Sequence, residues 1–187
     1  MRAEQGPRYS GLAMLLHWLI AIAVIVNWRL AEGAHEGPKE AGASLMATHK
    51  AIGMTILLLT VLRIAWRIAH KPTELAIHLA AWERILARTV HSVFYILLIS
   101  LPLLGWIASS AFGKPIDMFG LFQIPALPIA HDPKGGETAF DIHHLLGNVM
   151  VYLIGLHILG ALKHTFIDRD GDLFRMLPFG RVRANRA

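Results

Sequence analysis

The chain has 187 residues, of which 55% are hydrophobic and 17% charged, and its mean hydropathy is +0.48. A single core of this size cannot hide so much apolar side chain from water, so lipid must solvate part of it. Lys and Arg number 18 against 13 Asp and Glu, but the basic residues flank apolar runs, which fits membrane topology and argues against a nucleic-acid partner. With no Cys, disulfides, thiolate metal sites, iron–sulfur clusters and haem attached through Cys-x-x-Cys-His are all excluded.

A bilayer core is crossed by about 20 residues of apolar helix. In chain order, windows of that length fall at about 11–30, 49–69, 90–112 and 142–164. The first carries one charge, Arg29, at its far end; the second carries Arg63 and Arg67 in its last third. The third holds no Asp, Glu, Lys or Arg and contains Pro102, expected to kink it. The stretch Ile142–Leu162 is also free of those four residue types. A cleaved signal peptide is the rival reading of the first window, since Arg2 and Arg8 precede it, but its apolar stretch is longer than a signal core. The chain therefore reads as one all-α membrane domain over residues 1–187, a four-transmembrane-helix bundle.

Lys and Arg set the orientation. Arg2, Arg8, Arg63, Arg67, Lys71, Arg84, Arg88, Lys163, Arg169, Arg175, Arg181, Arg183 and Arg186 belong to one side. The other side has Arg29, Lys39, Lys50, Lys114 and Lys134, diluted by seven acidic residues from Glu32 to Asp141. The basic side is assigned to the cytoplasm, and an even number of spans puts both termini there. Of the connections, 113–141 is long, holds Pro115, Pro125, Pro128 and Pro133, and is expected to form an ordered cover. Residues 72–87 have helical apolar spacing suited to the inner membrane surface.

The 11 His are many for this length. His35, His70, His78 and His131 fall in loops or at the surface, where a solvated imidazole needs no further account. The others lie within or at the ends of spans, where an ionisable group requires a partner. His143 and His157 are fourteen residues apart, four helical turns less about 40° and about 21 Å of rise, so they share a face at two depths. His17 matches His157 in depth from the inner side, and His49 matches His143 at the outer side. Two imidazoles from different helices at one level can ligate an iron from opposite faces of a porphyrin; two levels give two haems, held without covalent attachment and so of b type or a non-covalent relative. The expected ligands are thus His17, His49, His143 and His157.

Small residues beside these positions would make room for a flat macrocycle: Ala13, Ala21, Gly53, Gly147, Gly160 and Ala161. Such residues also serve plain helix packing. Arg63 and Arg67 suit haem propionates or, equally, the positive-inside flank. His91 has no unassigned partner at its level and stands as the reserve ligand, with a hydrogen bond to a propionate or a neighbouring helix preferred. His144 is about 100° round the helix from His143 and is its alternative. His164, next to Lys163, reads as basic flank.

The segments LLHWLIA around His17, ATHKAIG around His49, RTVHSVFYILLISLPLLGW around His91, IHHLLG through GLHILGALKH, and DLFRMLP near the tail together resemble the bacterial cytochrome b561 family. Carried over by position, that family's ligands fall on His17 with His157 and His49 with His143. Where family members flank the outer ligand with Trp and Glu, this chain has Ile142 and His144. The resemblance implies a di-haem, quinone-linked cytochrome of the bacterial inner membrane. It also implies, as in some members, oxidation of superoxide at the outer face with ubiquinone as acceptor.

Iron ligated on both faces has no open position for substrate, so these ligands suit electron transfer and not oxygenation. The outer basic residues Arg29, Lys39, Lys50, Lys114 and Lys134 would draw a small anion such as superoxide. The alternative is a haem-bearing anchor subunit that passes electrons between a hydrogenase or dehydrogenase and quinone, and so needs a redox partner protein. A His-lined transporter for a metal ion ranks third, because carboxylates are absent from the central spans.

Overall fold

The computed structural model describes residues 8–36, 38–70, 80–168 and 172–180. Four long helices make the body: α1 (Gly11–Glu36), α2 (Lys39–Ala69), α3 (Ala81–Ala111) and α4 (Pro133–Leu162), the last continued by a π turn, Lys163–Ile167. Each is long and apolar enough to cross a membrane. The helices overrun the apolar windows, since a helix that has crossed the hydrocarbon continues into the polar zone while its backbone bonds remain unbroken. α4 begins nine residues before the fourth window, with Pro133 in its first turn and the Asp132 side chain accepting from the Gly135 amide.

α1 packs on α2 and α3 on α4, and α2 meets α3 between the two pairs. At the tight α1–α2 corner, a Cβ at Gly42 would lie 2.6 Å from the Ala34 carbonyl oxygen, so glycine alone permits that approach. The buried core is thin: Leu16 and Ile20 of α1, Ala51 and Ile56 of α2, Leu97 of α3 and Met150 of α4. Leu19, Ile22, Leu58, Leu62, Tyr152 and Leu156 are exposed on the outside of the bundle. Such a surface is stable only where lipid tails replace water. Pro102 lies inside α3, which runs through it without a break.

The connection after α3 carries a hairpin of β1 (Ile116–Met118) and β2 (Phe122–Ile124), antiparallel with Ile116 opposite Ile124. Ile116 is 2% exposed, and β1 lies against α2. The segment beyond β2 folds back along α3, where Trp106 Nε1 donates to the Pro125 carbonyl and the Leu127 amide donates to Ser110 Oγ. It is an ordered cover at one end of the bundle.

At the opposite end the two ends of the chain meet. Arg8 donates to the Pro178 and Gly180 carbonyls, the Tyr9 amide to the Arg175 carbonyl at 3.3 Å, and Trp18 Nε1 to the Met176 carbonyl at 2.8 Å. The start of α1 and the 3-10 turn Asp172–Met176 therefore lie on one face, as an even number of crossings requires. Of the surface helix expected over 72–87, residues 72–79 lie outside the described residues, and 81–87 form the first turns of α3. Arg2, Lys71, His78, Arg169, Arg181, Arg183 and Arg186 lie outside them as well.

Candidate functional site

At the covered end, His49 of α2 and His143 of α4 face one another with ring centroids 6.0 Å apart and ring planes at 81°. His49 Nδ1 lies 2.9 Å from the Asn27 carbonyl of α1, and His143 Nδ1 lies 2.9 Å from the Leu101 carbonyl of α3. A carbonyl only accepts, so each Nδ1 carries the proton and donates, and each Nε2 is left as a lone-pair donor toward a metal. All four helices thus build the pair: two supply imidazoles and two supply the carbonyls that orient them.

The two rings lie at the wall of a cavity of about 490 Å³. Three helices give it room through glycine. Gly53 sits one turn beyond His49, Gly147 one turn beyond His143 with open space where its Cβ would be, and Gly105 lies across from His143. A Cβ on Gly105 would come 3.5 Å from His143 Cε1. Ile116 and Phe112 close the covered end, and Lys50 and Lys114 also line the cavity. Lys50 Nζ donates to Ser109 Oγ at 3.0 Å.

These features fit a porphyrin iron. Metal–imidazole bonds of about 2.0 Å on opposite faces would separate the ring centroids by roughly 6 Å. The donors are neutral imidazoles of fixed tautomer, and the walls are apolar with glycines where a flat group would lie.

At the other end, His157 of α4 is edge-on to His91 of α3, with centroids 5.5 Å apart, and to Phe94, also at 5.5 Å. His17 of α1 packs edge-on to Trp18 at 5.3 Å. The structure therefore sets His91 against His157, where the depth match had paired His157 with His17 and kept His91 as the reserve ligand. His144 is exposed. His164 lies 2.8 Å from Asp168 at the π turn. Lys163 bridges Glu83 at 2.7 Å and Asp168 at 2.8 Å. Its hydrogen bond holds the Asp168 carboxyl below the ordinary carboxylate range.

Sequence reasoning had not reached the Asn27 and Leu101 carbonyls, Gly105 or Ile116. A backbone carbonyl leaves no residue-type signature, whereas Gly105, one turn from Leu101 on an otherwise bulky third span, was a readable sign of a gap.

The family model described as prokaryotic cytochrome b561 matches residues 8–179. Among curated proteins, the chain is 33% identical over 175 residues to cytochrome b561 homolog 2 of Escherichia coli (strain K12), covering 91% of each chain. It is 30% identical over 178 residues to the probable superoxide oxidase CybB of Yersinia pestis, covering 91% of this chain and 96% of that one. To cytochrome b562 of Cereibacter sphaeroides it is 26% identical over 185 residues, covering 92% and 97%.

Proposed function

The chain belongs to the prokaryotic cytochrome b561 family, as a multi-pass bacterial membrane haem protein, and from that premise we propose that it carries electrons across the inner membrane between an outer donor and ubiquinone. His49 with His143 would hold an outer haem b and His17 with His157 an inner one, with both termini in the cytoplasm. The observation that carries this reading is the His49–His143 pair, 6.0 Å between rings with both Nδ1 atoms committed to backbone carbonyls. A haem ligated on both faces supplies one-electron transfer at its edge, with no place for substrate on the metal.

The residues of the chain then do four things. The Asn27 and Leu101 carbonyls fix the two imidazoles before any metal arrives, so ligation costs little rotamer entropy. Gly53, Gly105 and Gly147 keep the space between the helices open. The hairpin, seated by Ile116, shields the cavity from the aqueous phase. Lys50 and Lys114 line that cavity together with Glu137 and Asp141, so a small anion would be drawn locally to the two lysines and not by a net positive mouth.

The favoured outer donor is superoxide, in keeping with the name of the Yersinia pestis relative. Each superoxide gives up one electron and leaves as dioxygen. Two such electrons and two protons from water convert one quinone to quinol. Superoxide offered to the purified protein with a ubiquinone analogue should yield quinol at one per two superoxides, at a rate that falls with ionic strength. Charge reversal at Lys114 should lower that rate severalfold. A rate equal to the protein-free control, with electrons entering only after a hydrogenase or dehydrogenase is added, would reject this donor and support the anchor-subunit reading.

A further inference from the structure

The inner half of the bundle holds a group of hydrogen-bond donors that, among the described residues, has no carboxylate in ion-pair contact. Arg63 and Arg67 stand one turn apart on α2, and Tyr95 and His91 one turn apart on α3. Arg63 Nε donates to the Tyr95 hydroxyl at 3.2 Å, and its Nη1 donates to the Ala13 carbonyl of α1 at 2.8 Å. The Arg67 guanidinium lies over the Tyr95 ring, 5.6 Å from its centroid. Each of these partners is neutral, so among the described residues no carboxylate balances either charge.

Among the described residues, two acids at this end are already committed. Glu83 and Asp168 both belong to Lys163, at 2.7 and 2.8 Å. Between Glu40 and the end of α2 there is no Asp or Glu, and α1 has none before Glu32. Among the described residues, neither Arg63 nor Arg67 forms an ion pair with a carboxylate. Arg63 lies six residues inside the end of α2, about 9 Å down the axis. An arginine at that depth is costly unless an anion or a set of acceptors meets it. The Ala13 carbonyl and the Tyr95 hydroxyl hold Nη1 and Nε, which leaves Nη2 of Arg63 and the N–H groups of Arg67 that its contact with Tyr95 does not use to face a ligand.

We propose that Arg63, Arg67 and the Tyr95 hydroxyl form a seat for an oxyanion, with Arg63 locked by Ala13 and Tyr95 and Arg67 set beside it over the Tyr95 ring. Two sources share that chemistry: the propionate carboxylates of a porphyrin at the level of His17 and His157, and the phosphate of an inner-leaflet lipid. The first source rests on the haem reading given above; the second does not. The fork geometry of guanidinium suits either, since it offers paired N–H groups to two oxygens.

The test is a cycle between protein and ligand. Wild type, R67Q and R63Q are purified with their haem, and transfer of haem to apomyoglobin is timed. The measurement is repeated after reconstitution with haem dimethyl ester, whose carboxylates are blocked. Retention of phosphatidylglycerol is counted on the same samples by native mass spectrometry. If propionates occupy the seat, R67Q sheds one haem about tenfold faster than wild type while the ester is lost at the same rate from both. If a lipid occupies it, both haems stay at wild-type rates and R67Q and R63Q lose bound phosphatidylglycerol. R67Q is the leading variant because Arg67 makes no backbone bond that folding depends on, and R63K, which keeps the charge, controls for R63Q. Wild-type rates for haem with wild-type lipid retention in both Gln variants would overturn the proposal. Protein without haem would instead sink the haem reading, and the lipid count would still decide the seat.

Discussion

Gly105 offers a graded test of the cavity. A Cβ there would meet His143 Cε1 at 3.5 Å and Nδ1 at 3.6 Å, an ordinary van der Waals approach. Gly105→Ala should therefore be accepted with the His143–Leu101 hydrogen bond intact, and it gains about 1 kcal/mol of helix propensity. Gly105→Leu adds three further carbons on the same vector, into the imidazole or into the space beside it. Overpacking of that kind costs about 1–3 kcal/mol. Charged to cofactor binding, this is a loss of roughly 5- to 150-fold in affinity. The assay is haem per chain by pyridine haemochrome, with the reduced spectrum and the rate of haem loss, on wild type, Ala and Leu variants of equal helicity. Wild type and Ala should agree, whereas Leu should lose the outer haem or release it faster. A Leu variant with full haem, unchanged bands and an unchanged rate of loss would refute a macrocycle ligated by His143 and seated beside Gly105.

Thr60 is fully buried, and its hydroxyl has no hydrogen-bond partner; Thr60→Val, of the same shape, should raise stability by about 1–2 kcal/mol, seen as a higher thermal midpoint of helix loss. Ile116→Ala removes the buried side chain that seats the hairpin on α2, at a cost of about 2–4 kcal/mol to its docking; hydrogen exchange should quicken at 116–124 and stay unchanged in the helix centres. Asp168, its carboxyl held low by Lys163, adds stability that is present above about pH 4 and is lost as pH falls through its lower folded value. Asp168→Asn should flatten the loss of stability below about pH 4 in an acid titration followed by circular dichroism, and a parallel curve would reject that linkage.

The helices and the outer imidazole pair were legible because their causes are local. Apolar windows of bilayer length dictate spanning helices, and a fourteen-residue spacing on α4 fixes which side chains share a face whatever the neighbours do. The depth match of His49 with His143 came from counting residues inward from the span ends, and the structure brings those two rings together. The same count at the inner level found His17 and His157 but not that His91 would lie against His157. Depth fixes height along the axis and says nothing of rotation, which is set by how α3 packs on α4. Asn27 and Leu101 act through backbone oxygen, so their identities carried no signal. Ile116 looked like any other apolar loop residue until strand pairing with Ile124 gave the cover its shape. The neutral partners of Arg63 also emerged only in three dimensions, since they come from two other helices, the Ala13 carbonyl of α1 and the Tyr95 hydroxyl of α3.

The central claim is that four histidines at two levels hold two haems. It is tested most directly by haem quantification per chain, with oxidised and dithionite-reduced spectra, on wild type and on His49→Leu and His157→Leu purified from haem-replete cells. The account predicts two low-spin b haems per wild-type chain and one in each variant, with the two variants lacking different reduced bands. A single haem in wild type, or His157→Leu retaining both, would contradict it.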